Sequence, residues 1–295
     1  ANKIWNASRY ILMNLEGREL VEKPVHSQVD TWVLGRLEAA AATVREALAT
    51  YRFNDAAGAV YEYFWNDFCD WYIEATKLSL RSESEAEKNR ATTVLLSVLE
   101  ESLRLLHPFL PFVTEEIYQM LPNRKEGGWL ITQAYPGADP SRRVAAVEAD
   151  FEALRELVRL ARTLRAEFQI PAEKPMRLLV RCEAGFQGEA FLKAQAGLAG
   201  LLVVGPPPEF VANRPAGTVA MVGKGFEAYA MVKESVDAGK LVEKFRKDIE
   251  KDRQYIERTR SKLGNEGFVA SAPAEVVARE REKLAEAERR TVKLQ

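Results

Sequence analysis

Phe64-Trp65-Asn66-Asp67-Phe68-Cys69-Asp70-Trp71-Tyr72 crowds aromatic rings at spacings of three and four residues. With Val60 ahead of them, Phe64, Trp65, Phe68, Trp71 and Tyr72 fall on one face of a helix. Rings at that spacing are chiefly core, so this helix must sit among other apolar helices. The sequence on both sides supplies them.

Upstream, Asn54 is the expected cap of the aromatic helix. Before it lies a helix with Leu34, Leu37, Val44 and Leu48 on one face, padded by alanines of high helix propensity. Either Ser27 or Asp30 can cap it. From Ala1 the chain is already helical in pattern: Ile4, Ser8, Ile11, Leu12 and Leu15 recur at helical spacing, and Gly17 is a left-handed stop. An opening without Met or capping residue leads us to expect a piece cut from a longer chain. Downstream, a helix from about Ser84 to Leu106 is stopped by His107-Pro108, and a short one runs from Pro111 to Leu121-Pro122. Long helices with short connections imply antiparallel neighbours, so residues 1–145 read as a helical bundle.

Residues 146–236 change character. A helix with Val147, Phe151, Leu154, Val158, Ala161 and Leu164 on one face ends before Pro171. A β-type run, Met176 to Cys182, precedes a short helix around Glu189 to Leu198 and a second apolar run, Leu201 to Val204. Thr218 to Val222 and Phe226 to Val232, joined by Gly223-Lys224-Gly225, predict a hairpin. This is a small α/β connecting module, a spacer that shows no chemistry of its own.

Residues 237–295 change character again. Val242, Phe245, Ile249, Asp252, Ile256, Thr259 and Leu263 alternate at three and four residues, as do Val277, Glu280, Leu284, Ala287, Thr291 and Leu294. Gly264 to Phe268 is the turn between them, and Pro273 stands at a first helical position. The prediction is an antiparallel two-helix coiled coil with a narrow seam, projecting from the body. The whole is mainly α: bundle, α/β module, coiled-coil hairpin.

Composition narrows the class. At 295 residues with 47% apolar content, the chain can form two or three units with a sizeable core. No apolar run has the length of a membrane span. Cys69 and Cys182 sit in apolar runs and read as reduced, and the two histidines have no ligand-spaced neighbours, so no metal site is expected. A net charge of −1 neither excludes nor locates a charged partner.

The aromatic stretch with Glu74 after it resembles the third-helix signature of the anticodon-binding domain of valyl-tRNA synthetases. Ala1-Asn2-Lys3-Ile4-Trp5-Asn6-Ala7-Ser8-Arg9-Tyr10 is similar to the helix that leads that domain. His107-Pro108-Phe109-Leu110-Pro111-Phe112-Val113-Thr114-Glu115-Glu116 resembles a segment shared by several class I synthetases. Gly267-Phe268 with Ala272 to Val277 resembles the C-terminal hairpin of the bacterial valyl enzymes.

The first helix has suitable chemistry for that family. Asn2, Asn6 and Arg9 lie along one line, with Lys3 and Tyr10 beside it. Amides and cations can bond the edges of unstacked bases, and Tyr10 can stack on one. The resemblance implies anticodon reading by Lys3, Arg9 and Tyr10, assisted by Asn2 and Asn6. It further implies that Arg258 and Lys283, with Arg260 and Lys262 near, touch the outer corner of the tRNA. His26 and His107 do not stand in a His-x-Gly-His segment, and no Lys-Met-Ser-Lys-Ser loop or phosphate-cradling glycine loop occurs. No catalytic residue and no cofactor are therefore expected in this part of a cytoplasmic enzyme that uses ATP with Mg. The expected partners are valine tRNA and the catalytic domain of the same polypeptide, without membrane, in a monomer. An isoleucyl-type synthetase is the nearer alternative, but a family-typical one would bring a cysteine-rich zinc module that two distant cysteines cannot build. A structural coiled-coil module binding proteins is the other.

Overall fold

The computed structural model describes residues 2–122, 124, 127–137, 139–231, 238–264 and 284, with backbone alone at 238–249 and 252. It is mostly helical, with one small mixed sheet. α1 (Asn2–Leu15) buries Ile4, Ser8 and Ile11. Gly17 ends it at φ 72°, a backbone conformation that favours glycine. α2 (Gln28–Ala49) opens on a capping box in which Asp30 N–H donates to the Ser27 hydroxyl and Ser27 N–H donates to the Asp30 carboxylate. Both candidate caps are thus used together. α2 buries Trp32, Val33, Leu37 and Val44 around Ala40, Ala41 and Ala47, small residues that admit a close neighbour.

α3 (Phe53–Glu62) begins one residue before the expected cap. Its N-cap is Arg52, with no side-chain bond, so Asn54 lies inside the first turn. The reversal from α2 is made instead by Tyr51, left-handed at φ 58°, with Arg52 N–H donating to the Ala47 carbonyl at 2.8 Å. The helix then continues into a π-helical segment, Tyr63–Tyr72, and α4 (Ile73–Leu80). At its exit Ile73 N–H reaches five residues back, to the Phe68 carbonyl. Phe64, Phe68 and Tyr72 are fully buried and Tyr63 nearly so, while Trp65 and Trp71 remain half-buried at the flanks.

The most deeply buried carboxylate at this end of the bundle is paired, as its desolvation requires. Asp30 accepts the Tyr72 hydroxyl at 2.6 Å and the Arg90 guanidinium at 2.5 Å. Arg90 comes from α5 (Glu85–Leu106), which starts where expected and is capped by Ser84. α6 (Pro111–Gln119) follows, with proline at its start. His107 Nδ1 lies 2.8 Å from the Thr114 hydroxyl. The Thr114 hydroxyl also reaches the Leu110 carbonyl at 2.9 Å, so that one hydroxyl ties the end of α5 to the first turn of α6.

α7 (Ala145–Glu167) buries Phe151, Leu154, Val158, Ala161 and Leu164. Beyond it, β1 (Leu178–Cys182), β2 (Glu209–Phe210), β3 (Thr218–Val222) and β4 (Phe226–Met231) form a sheet of order β2-β1-β4-β3. β1 and β2 pair in parallel; β4 runs antiparallel to both β1 and β3. β2 was not foreseen. The expected helix around Glu189 to Leu198 is two, α8 (Glu189–Ala194) and α9 (Ala196–Val203). The apolar run Leu201 to Val204 is mostly the end of α9, and Val204 terminates it in a left-handed conformation. One hydrophobic core runs from α1 through the aromatic segment and α7 to Val180 and Phe226 of the sheet. α10 (Ala238–Gly264) is a single long helix. The turn after Gly264, Pro273 and the predicted second arm helix lie outside the described residues, except that Leu284 is helical. The seam side chains of Val242, Phe245, Ile249 and Asp252 are likewise outside them.

Candidate nucleic-acid interface

With Ile4, Ser8 and Ile11 turned to the core, Asn2, Asn6 and Arg9 stand exposed on the other side of α1. Trp5, 38% exposed, joins this line and was missed; its spacing of four from Arg9 was the available signal. Lys3 sits at the border. Its ammonium bonds Asp70 at 2.7 Å and the Trp65 carbonyl at 3.2 Å, anchoring α1 to the π-helical segment. Both members of this ion pair are substantially solvated, so the pairing is weak enough to be exchanged for an incoming acceptor. Beside Trp65, stacked on it at 4.5 Å, lies the exposed ring of Tyr61.

Tyr10 is placed less openly than the stacking implied by the resemblance requires. It packs against the core edge, and the Lys77 ammonium lies 5.8 Å from its ring centroid. Burial raises the phenol above its ordinary range, which Lys77 partly opposes. The structure thus groups Asn2, Asn6 and Arg9, with Lys3 and Tyr10 as half-covered neighbours.

On α10, Arg258, Arg260 and Lys262 are all exposed. Arg258 and Lys262, four residues apart, share one flank of the helix, whereas Arg260 is turned to the other. Between the flanks runs a less exposed stripe, Ile256, Thr259 and Leu263, with Thr259 buried. Lys283 lies outside the described residues. Among the described residues no group of His, Cys, Asp or Glu is arranged to hold a metal ion, and no helix is long and apolar enough to cross a membrane.

Comparison with known proteins gives the family. Residues 30–180 match the family described as the anticodon-binding domain of tRNA ligase, and the chain belongs to that family. Residues 237–295 match the valyl tRNA synthetase tRNA binding arm. The whole chain is 45% identical to a valine–tRNA ligase of Treponema denticola, of which it covers 34%. It is 40% identical over 97% of its length to that of Geobacter sulfurreducens, and 39% over 96% to that of Thermotoga maritima. In these it covers 33% and 32% of the relative. The chain therefore spans about a third of the curated relatives it matches, and corresponds to their C-terminal part.

Proposed function

We propose that this chain is the tRNA-selecting part of a valine–tRNA ligase, in which α1 reads the anticodon and residues 237–295 lean on the outer corner of valine tRNA. The observation that carries the reading is the exposed line of Asn2, Asn6 and Arg9 on a helix whose opposite face is core. Amides and a guanidinium so arrayed offer donors and acceptors to unstacked base edges, with Trp5 and Tyr10 as aromatic neighbours. Lys3 stands ready beside them, and Tyr10 engages a base from the edge that Lys77 leaves open.

The working division is a bundle over 1–145, a connecting module over 146–236 and a coiled-coil hairpin over 237–295. The reduced exposure of Ile256, Thr259 and Leu263 supports a seam along α10. Arg258 and Lys262 on one flank would face the RNA with Lys283, and Arg260 would assist from the other. Activation of valine by ATP with Mg belongs to the catalytic domain of the same polypeptide, in a cytoplasmic monomer.

Binding of RNA by the chain as it stands provides the test. It should retain valine tRNA in preference to tRNA with a changed anticodon, yet show no valine-dependent ATP–pyrophosphate exchange. Absence of any anticodon preference would overturn the reading of α1, and exchange activity free of host enzyme would overturn the assignment of catalysis elsewhere.

A further inference from the structure

We propose that a second RNA contact, for backbone phosphates, lies in the groove between α7, the π-helical segment and the β3–β4 turn; it rests on the anticodon reading of α1. This open groove of about 700 Å³ is lined by Trp71, Arg155, Arg159, Arg162 and Lys224, with Glu152 as the one acidic residue of its wall.

The cations are arranged by the fold. Arg155, Arg159 and Arg162 recur at four and three residues along α7, forming a ridge beside its buried apolar face. Lys224 stands at the tip of the β3–β4 turn between Gly223 and Gly225. At Gly225, φ is 83° and a Cβ would meet the Phe186 ring at 2.3 Å. The turn is fixed to α7 because Lys224 N–H donates to the Glu156 carboxylate at 3.2 Å. Two separate elements therefore hold cations around one concavity.

These cations are incompletely neutralised. Asp67 is buried and shared: Arg36 holds it at 2.7 Å, and Arg155 approaches only to 3.5 Å, with exposed Glu152 no nearer to Arg155 than 3.7 Å. Arg159 reaches Glu156 at 3.5 Å with its side chain 72% exposed, and Arg162 spends one donor on the Leu202 carbonyl at 3.3 Å. Contacts of this length leave the guanidinium forks with strong hydrogen bonds still to make. Planar forks match phosphate oxygens, and Trp71, with the Arg155 guanidinium 5.4 Å from its ring centroid, gives the groove a flat apolar wall suited to a sugar or base.

Position selects the ligand. Trp71 follows Asp70, the residue that holds Lys3, so the groove and the α1 line flank the same helical turn. A strand whose bases meet α1 and whose backbone crosses exposed Asn66 and Asp70 arrives at the α7 ridge. Phosphates carry no sequence information, so this contact should strengthen binding without choosing the anticodon.

The test uses the full chain and two synthetic RNA hairpins, one carrying the valine anticodon stem and loop and one with the anticodon changed. Arg159→Ala with Lys224→Ala, both exposed positions, should lower affinity for the two hairpins alike, by several-fold or more. The log–log salt slope should fall by about 1–2 at ~0.7–0.9 per phosphate lost. Arg159→Glu should repeat the loss, and an unchanged melting temperature should accompany each variant. Unchanged affinity and slope would overturn the proposal, as would a change confined to the ratio between hairpins, which would make the groove a base reader. An unchanged RNA slope with lost binding of polyglutamate would overturn it in favour of an acidic protein partner. A wild-type chain that binds both hairpins equally counts against α1 as reader, and the slope comparison still decides the groove.

Discussion

The rings of Trp32 on α2 and Phe151 on α7 stack face to face, centroids 3.7 Å apart and planes 14° from parallel. Phe151 also meets Trp71 edge-on at 6.0 Å and Phe191 of α8 at 6.3 Å. One fully buried side chain of α7 thus touches α2, the aromatic segment and α8.

Phe151→Ala should accordingly destabilise the chain by ~3–5 kcal/mol, the usual range for a large buried ring removed without collapse of the site. Denaturant titration of the variant measures this directly. A loss below about 1 kcal/mol would place Phe151 among tolerant sites and deny it the joining role.

Alkali supplies a second prediction. Burial pushes the Tyr63 and Tyr72 phenols well above their ordinary range, and the neighbouring Asp30 carboxylate adds to the effect at Tyr72. A group whose folded pKa exceeds its unfolded value contributes fully below the unfolded pKa, here about 10, and that contribution drains away as pH rises further. Stability should fall above pH ~10, with phenolate absorbance from these two rings appearing only on unfolding. Tyr63→Phe should make the fall shallower, because Ser102 keeps its own bond to the Val98 carbonyl at 2.6 Å. An identical alkaline profile in that variant would refute the attribution.

The two cations of α1 should separate in behaviour. Arg9→Ala removes an exposed side chain and should reduce anticodon discrimination by ~1–3 kcal/mol with no loss of stability, by analogy with bidentate base readout. Lys3→Ala should reduce discrimination too, and it also releases Asp70 and the Trp65 carbonyl, so a small drop in melting temperature is expected. Matched and anticodon-changed hairpins bound in the wild-type ratio by both variants would remove α1 from the interface.

Removal of residues 237–295 should weaken binding of whole tRNA whatever its anticodon and leave hairpin binding unchanged. Cations and carboxylates nearly balance in this stretch, so attraction must come from particular residues and not from a diffuse field. Arg258→Glu with Lys283→Glu should mimic much of the deletion. Equal affinity for whole tRNA with and without the stretch would rule the contact out.

Local chemistry was the legible part of this fold. The Ser27 cap, the Gly17 stop and the β3–β4 hairpin depend on residues within a few positions of one another, and the sequence displays them. β2 was hidden because two residues gain strand form only by pairing with distant β1. Asn54 misled because Tyr51 reverses the chain without a side-chain cap. At the interface, the exposed line of α1 followed from periodicity, whereas the hold of Asp70 on Lys3 joins positions far apart in the chain. The partial cover of Tyr10 by Lys77 is equally non-local. The groove cations were in plain view, but α7 was read for its apolar face alone.

The π-helical segment has a consequence for how this surface tolerates change. Each residue of an α-helix turns the chain by about 100°, so a widened turn shifts the angular setting of everything beyond it. Tyr72 meets Asp30 and Lys77 covers Tyr10 only because that setting is what it is, while Val60 and Phe64 upstream answer to the ordinary one. The segment works as an indexing joint: shortening it by a single residue would turn everything beyond it by roughly a quarter of a turn. The two halves would then be clocked out of phase, and the seating of α1 on this helix would be lost without any residue of α1 having been altered.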